Sequence, residues 1–143
     1  MLSTLLLNDI IDEFIEVREK TMELFSPLDI EDAVIQSSTF GSPPNWHIAH
    51  VTWFFHKILE KYNSSSGIDI ENNFNLDYLN SYYHKYGKIL TKSERGQYPR
   101  PTVTQSIKYR KEIETHFIDF LKSFDKIDFS DKLILDIFTA VNH

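Results

Sequence analysis

Apolar residues recur along the first stretch of the chain at alternating intervals of three and four. Leu7, Ile10, Phe14, Val17, Thr21, Leu24 and Leu28 form the line, and Ile11 and Phe25 widen it. That is the period of an amphipathic helix, so one is predicted over residues 5–25. Asp12, Glu13, Glu16, Arg18, Glu19 and Lys20 take the remaining positions and predict a wet face. Pro27 ends the helix. Residues 27–45, PLDIEDAVIQSSTFGSPPN, leave room for one helical turn before the breakers Gly41, Pro43 and Pro44. Ser42 or Asn45 is of the right type to cap the next helix.

NWHIAHVTWFFHKILEKY predicts a second long helix, from about Pro44 to Tyr62. NSSSG opens a connector, and the aromatic-rich residues 73–87, NFNLDYLNSYYHKYG, predict a shorter helix ending at Gly87. In it, Tyr82 and Tyr83 are expected to be packing aromatics. SERGQYPRPT reads as a polar loop. Thr102 or Thr104 then starts another amphipathic helix, with Val103, Ile107, Ile113, Phe117, Phe120, Leu121 and Phe124 facing inward. Arg110 lies on the same line, which predicts pairing with a buried acid and a large cost if either partner is lost. SDKLILDIFTAVNH starts a last helix with Ser130 as its cap and no stop signal before His143.

Four principal helices and no internal repeat predict an all-α four-helix bundle. It forms one domain over 1–143, with a last helix that reads as truncated. Bundles of this kind build metal and cofactor sites from side chains on facing helices.

Composition narrows the chemistry. At 143 residues and 41% hydrophobic, the chain is large enough for one packed core. Fifteen Lys+Arg against 21 Asp+Glu give a formal charge of -6, which offers no general field for nucleic acid. Cysteine is absent, so disulfides, thiolate ligands and a cysteine nucleophile are excluded. The N-terminus has neither the basic region nor the cleavage site of a signal peptide, and no run reaches membrane-span length. The expectation is a cytoplasmic protein with no membrane partner.

Three of the six histidines fall within ten residues of the second helix. His47, His50 and Phe54 share a face that Ile58 extends, while Trp46, Trp53 and Lys57 lie on an adjoining stripe. His56 is well round from His50 and is expected to be exposed. Two readings stand for His47 and His50. One is a core imidazole bonded to a backbone carbonyl. The other is one wall of a metal site, which needs further ligands from another helix. His84 and His116 are expected on the surface or in loops.

Several stretches, in order and at similar separations, resemble one known family. They are VREKTMELFSPLDIEDAVIQS, SPPNWHIAHVTWFF, LNSYYHKYG, RGQYPRPT, IKYRKEIE and the closing NH. Together they resemble the N-terminal DinB-like domain of the EgtB-type sulfoxide synthases of ergothioneine biosynthesis, the hercynine oxygenases. The resemblance implies a DinB-like bundle and a non-haem iron oxidoreductase. Iron(II) held by three histidines uses oxygen to join a small-molecule thiol to the imidazole of hercynine.

The second histidine of the family's WHxxH segment corresponds to His50, and the first of a later pair, four apart, corresponds to His143. The resemblance thus implies His50 and His143 as metal ligands, with a third ligand four residues beyond His143. His47 is implied as a supporting residue rather than a ligand. Arg95 and Arg100, in the RGQYPRP motif, are candidates for a substrate carboxylate, since a guanidinium can bind one bidentately. The family's second domain, similar to the formylglycine-generating enzyme fold, has no counterpart in this sequence. The expectation is therefore a fragment or truncated product that is not an active synthase by itself. Two other classes are a stand-alone metal-dependent thiol transferase of DinB type and a non-catalytic helical interaction module.

Overall fold

The computed structural model describes residues 2–62, 76–80, 91–96, 100–124 and 131–143. Among the described residues five helices run in chain order: α1 (Leu2–Phe25), α2 (Ile30–Val34), α3 (Pro44–Tyr62), α4 (Val103–Ser123) and α5 (Asp131–Val141). Short 3-10 turns at Leu76–Leu79 and Lys92–Glu94 come between α3 and α4. There is no strand among the described residues. The architecture is the all-α bundle that the periodicity predicts, with α2 as a single added turn.

α3 is the hub, packing against α4, α5, α2 and the Leu76–Leu79 turn, while α1 closes over α4 and α5. It opens on Pro44, whose missing N–H costs nothing in the first turn of a helix. Asn45 lies inside the helix rather than capping it, and its Nδ2 donates to the Pro101 carbonyl at 2.8 Å. Ser42 accepts instead from Arg95. α4 starts at a reciprocal cap: Thr102 Oγ1 accepts from Gln105 N–H, and Gln105 Oε1 accepts from Thr102 N–H. The core between the helices is dense in rings, with Phe14, Phe55 and Phe117 mutually in contact at centroid distances of 4.9 Å. Around them pack Ile10, Leu59, Ile113, Leu121, Leu133 and Ile137.

α1 is rotated from the azimuth its apolar period suggests. Ile10, Ile11, Phe14 and Phe25 are buried, but Val17 and Leu28 stand at the edge and Leu24 is 71% exposed. The inward line runs through Arg18, which the sequence assigns to the wet face and which is only 5% exposed. Its side chain explains the exception. Arg18 Nε donates to Glu114 Oε1 at 2.8 Å, Nη2 donates to Thr52 Oγ1 at 2.8 Å, and the guanidinium lies over the rings of Phe55 and Phe14. A buried charge is tolerable when it is paired and hydrogen-bonded.

Arg110 joins the same group. Its Nε is 3.5 Å from Glu114 Oε1, and its Nη2 donates to the Arg18 carbonyl at 2.9 Å. The acid expected for Arg110 is therefore Glu114, half-buried and shared with a second arginine. His56 is a second correction, since it is buried rather than exposed. The phenol of Tyr109 on α4 donates to its Nδ1 at 2.9 Å, and Nε2 faces Glu60 Oε1 at 3.3 Å. His116 is exposed, as expected. Of the helix expected over 73–87, the described part is the Leu76–Leu79 turn and Asn80. His84, Tyr82, Tyr83 and the Ser130 cap lie outside the described residues.

Candidate metal centre

α3 carries His50 one turn after Trp46 and just before Trp53, and both indoles lie nearly parallel to its ring. Trp46 stacks at 4.4 Å with an interplanar angle of 11°, and Trp53 at 5.9 Å and 19°. His50 is 4% exposed. Its Nδ1 meets the carbonyl of Leu79 at 2.6 Å. A carbonyl can only accept, so Nδ1 carries the proton and Nε2 keeps its lone pair. Burial pushes His50 down to about 4, offset in part by the Leu79 carbonyl and reinforced by His143, Arg95 and His47. At neutral pH the ring is uncharged, which is the ligand form.

His143 follows the last turn of α5, with its N–H bonded to the Ala140 carbonyl. The ring stacks on Phe54 of α3 at 5.0 Å and 23°. Its Nε2 is 2.9 Å from Nε2 of His50. Two residues 93 positions apart are thus brought together by the docking of α5 on α3. Burial also lowers His143. Because His50 Nε2 offers a lone pair, Nε2–H of His143 is the donor of this contact. Two imidazole nitrogens about 2.1 Å from one ion and at right angles to each other would stand about 3 Å apart. The separation, the neutral donors and the fixed tautomer all fit a divalent ion in place of that shared proton. Among the described residues no third His, Cys, Asp or Glu completes a ligand group.

His47 is exposed and turns its ring edge-on to Trp46 at 5.4 Å. Burial first, then Arg95 and Lys92, hold it below its usual range. Arg95 is 3% exposed. Its guanidinium lies 3.8 Å over the Trp46 ring, and its Nη1 donates to Ser42 Oγ at 2.7 Å. Arg100 is exposed. The structure therefore separates the two arginines that the sequence treats alike.

The loop carrying Arg95 is held from beneath by Gln36. Its Nε2 donates to the Gly41 and Lys92 carbonyls, and its Oε1 accepts from Gly96 N–H at 2.6 Å. A Cβ on Gly96 would come within 2.7 Å of the Gln36 Cβ, so the close approach requires glycine there. An open cleft of 680 Å³ borders the same staple, lined by residues such as Glu31, Gln36, Ser38 and Ser93 and by no histidine.

Three features of the site have no strong signal in the sequence. The Leu79 carbonyl is backbone, and the Tyr78 carbonyl beside it, which accepts from Trp46 Nε1 at 2.9 Å, is backbone as well. The near-parallel packing of Trp46 and Trp53 against the His50 ring is readable only as a neighbouring stripe. The Arg95–Trp46 contact joins segments with no common period.

No helix among the described residues is long and apolar enough to cross a membrane. No curated protein matches the chain. A family model, described as DinB superfamily, matches residues 13–141. Domains of this superfamily are generally metal-binding helical bundles. By that match and this fold, the chain belongs to the DinB superfamily.

Proposed function

We propose that this chain is the metal-binding helical domain of an oxygen-dependent sulfoxide synthase of the EgtB type, acting in the cytoplasm. His50 and His143 are two of its three imidazole ligands. The observation that carries the reading is the 2.9 Å between their Nε2 atoms, with His50 already in the ligating tautomer. Ordered resemblance of the WHIAH, RGQYPRP and closing NH segments supplies the finer assignment. When bound, iron(II) supplies open positions at which oxygen and a thiol can meet. The chain's own residues do the rest. The Leu79 carbonyl holds the proton on Nδ1 of His50, while the near-parallel rings of Trp46 and Trp53 help to bury that imidazole. Arg100, exposed, remains the candidate partner for a substrate carboxylate. Hercynine and the thiol are the proposed substrates of the complete enzyme.

The test is titration of the chain with cobalt(II), followed by absorption and melting temperature. A visible d–d band and a higher melting temperature are expected, and both should vanish in His50→Ala. Equal behaviour of wild type and variant would remove the metal site and leave a helical interaction module.

The family match is to the superfamily at large and favours one further reading, a metal-dependent thiol transferase. Transfer of a low-molecular-weight thiol by zinc- or nickel-loaded protein without oxygen uptake would decide for it.

A further inference from the structure

We propose that Trp46, Tyr78 and Arg95 form a closed clamp that fixes the tautomer and orientation of the His50 ring, which makes Arg95 a positioning residue rather than a substrate anchor. The inference rests on the reading of His50 as a metal ligand and adds residues to it. An unconstrained imidazole distributes its single proton over two nitrogens. Ligation through Nε2 requires that proton on Nδ1, and the carbonyl of Leu79 decides the matter at 2.6 Å. The remaining question is what holds that carbonyl in place.

Its neighbour gives the answer. Trp46 and His50 stand four apart on α3, so they are neighbours on one face, a turn apart. Trp46 Nε1 donates to the Tyr78 carbonyl and His50 Nδ1 to the Leu79 carbonyl. Consecutive peptides of one 3-10 turn are thus captured by consecutive turns of α3. The Tyr78 phenol in turn donates to the Arg95 carbonyl. The Arg95 guanidinium then returns to the Trp46 ring, 3.8 Å from its centroid. Trp46 to Tyr78, Tyr78 to Arg95, and Arg95 to Trp46 make a closed circuit. All three residues are buried.

His50 already lies against one face of Trp46 at 4.4 Å and 11°, so the guanidinium has only the other face. Arg95 therefore acts on His50 through the indole. A flat cation suits that position and a lysine ammonium does not, because stacking on a ring needs the planar guanidinium. The same burial, and the bond to Ser42, keep Arg95 from a carboxylate arriving by solvent. Outer groups that orient a ligating histidine commonly change metal affinity 10–100-fold when removed.

The experiment reads the His50 tautomer directly, by nitrogen-15 NMR of the metal-free chain, alongside cobalt(II) affinity. Wild type is expected to show a single Nδ1–H form. Arg95→Ala and Tyr78→Phe are expected to show mixed tautomers and roughly tenfold weaker cobalt(II) binding. Arg95→Lys should not restore either. Ile113→Val, a core change on α4, should leave the tautomer pure, which separates positioning from general loss of stability. Tyr78→Phe is a mild isostere, so it gives a reading even if Arg95→Ala does not fold. A single Nδ1–H form and unchanged cobalt(II) affinity in Tyr78→Phe would overturn the clamp. Cobalt(II) binding that survives His50→Ala would overturn the metal reading instead, while the tautomer measurement still judged the clamp.

Discussion

His56 shows how much one buried imidazole can hold. The Tyr109 phenol, which burial keeps protonated well above neutral pH, donates to Nδ1. Nε2–H is left to face Glu60. Burial pushes His56 down to about 4; Glu60 opposes that shift, and Lys57 and His116 add to it. In the unfolded chain its pKa returns to about 6.5. Between those values the unfolded state binds the extra proton, so stability is complete above pH 6.5 and falls as pH drops toward 4. The share carried by His56 is on the order of 3 kcal/mol. His50 titrates over the same window, so the test is a difference. Denaturant melts of wild type and His56→Gln should diverge at pH 7 and converge by pH 4. Parallel curves across that range would refute the assignment.

Glu114 poses the opposite problem at the same scale. One half-buried carboxylate faces two guanidinium groups, from Arg18 and Arg110, and burial lowers both arginines. Removing its charge leaves two buried cations side by side. Glu114→Gln should therefore cost about 2–3 kcal/mol, less than a fully buried pair because Glu114 is partly solvated. Urea melts check it. Arg18 also marks the limit of what periodicity can show. Ile11, Phe14, Arg18 and Phe25 lie on one helical line, but a charged member reads as exposed until its partners on α3 and α4 are known.

The helices themselves were legible. α3 runs from Pro44 to Tyr62 as its apolar spacing and opening proline predict, though neither Ser42 nor Asn45 caps it, and α4 begins at the Thr102 cap that the sequence predicts. What spacing cannot give is how α5 meets α3, and the site depends on that. Leu133, Ile137, Ala140 and Val141 bury the inner face of α5. On the outer side, Asp136 Oδ2 accepts from Lys61 Nζ at 2.5 Å and from Tyr62 hydroxyl at 2.7 Å. Burying each larger apolar side chain stabilises by roughly 1.5–3 kcal/mol, whereas a part-exposed ion pair gives about 0–1. Burial docks the helix and Asp136 adjusts its rotation. Ile137→Ala should then cost about 2–4 kcal/mol and weaken cobalt(II) binding through His143. Asp136→Asn should cost less than about 1 kcal/mol. Equal losses in the two variants, by melting and cobalt(II) titration, would reverse that order of importance.

For the whole molecule, the proposed metal ion between His50 and His143 would act as a staple. α1, α3 and α4 form a ring-packed core that does not need it. α5 has 11 residues, and His143 follows its final turn. An ion that binds the folded state alone stabilises by RT ln(1 + [L]/Kd), about 2.7 kcal/mol at a hundredfold excess over Kd. For a chain of this size that is a rise of roughly 8 °C in melting temperature. Local opening of α5 would break the site, so bound metal must suppress that opening as well as global unfolding. Hydrogen exchange can separate the two. Cobalt(II) should slow exchange in α5 and in the first turns of α3 by more than it slows the α1 amides. Uniform slowing would mean that the ion senses only global stability. Slowing confined to a segment distant from His50 and His143 would mean that the ion binds elsewhere.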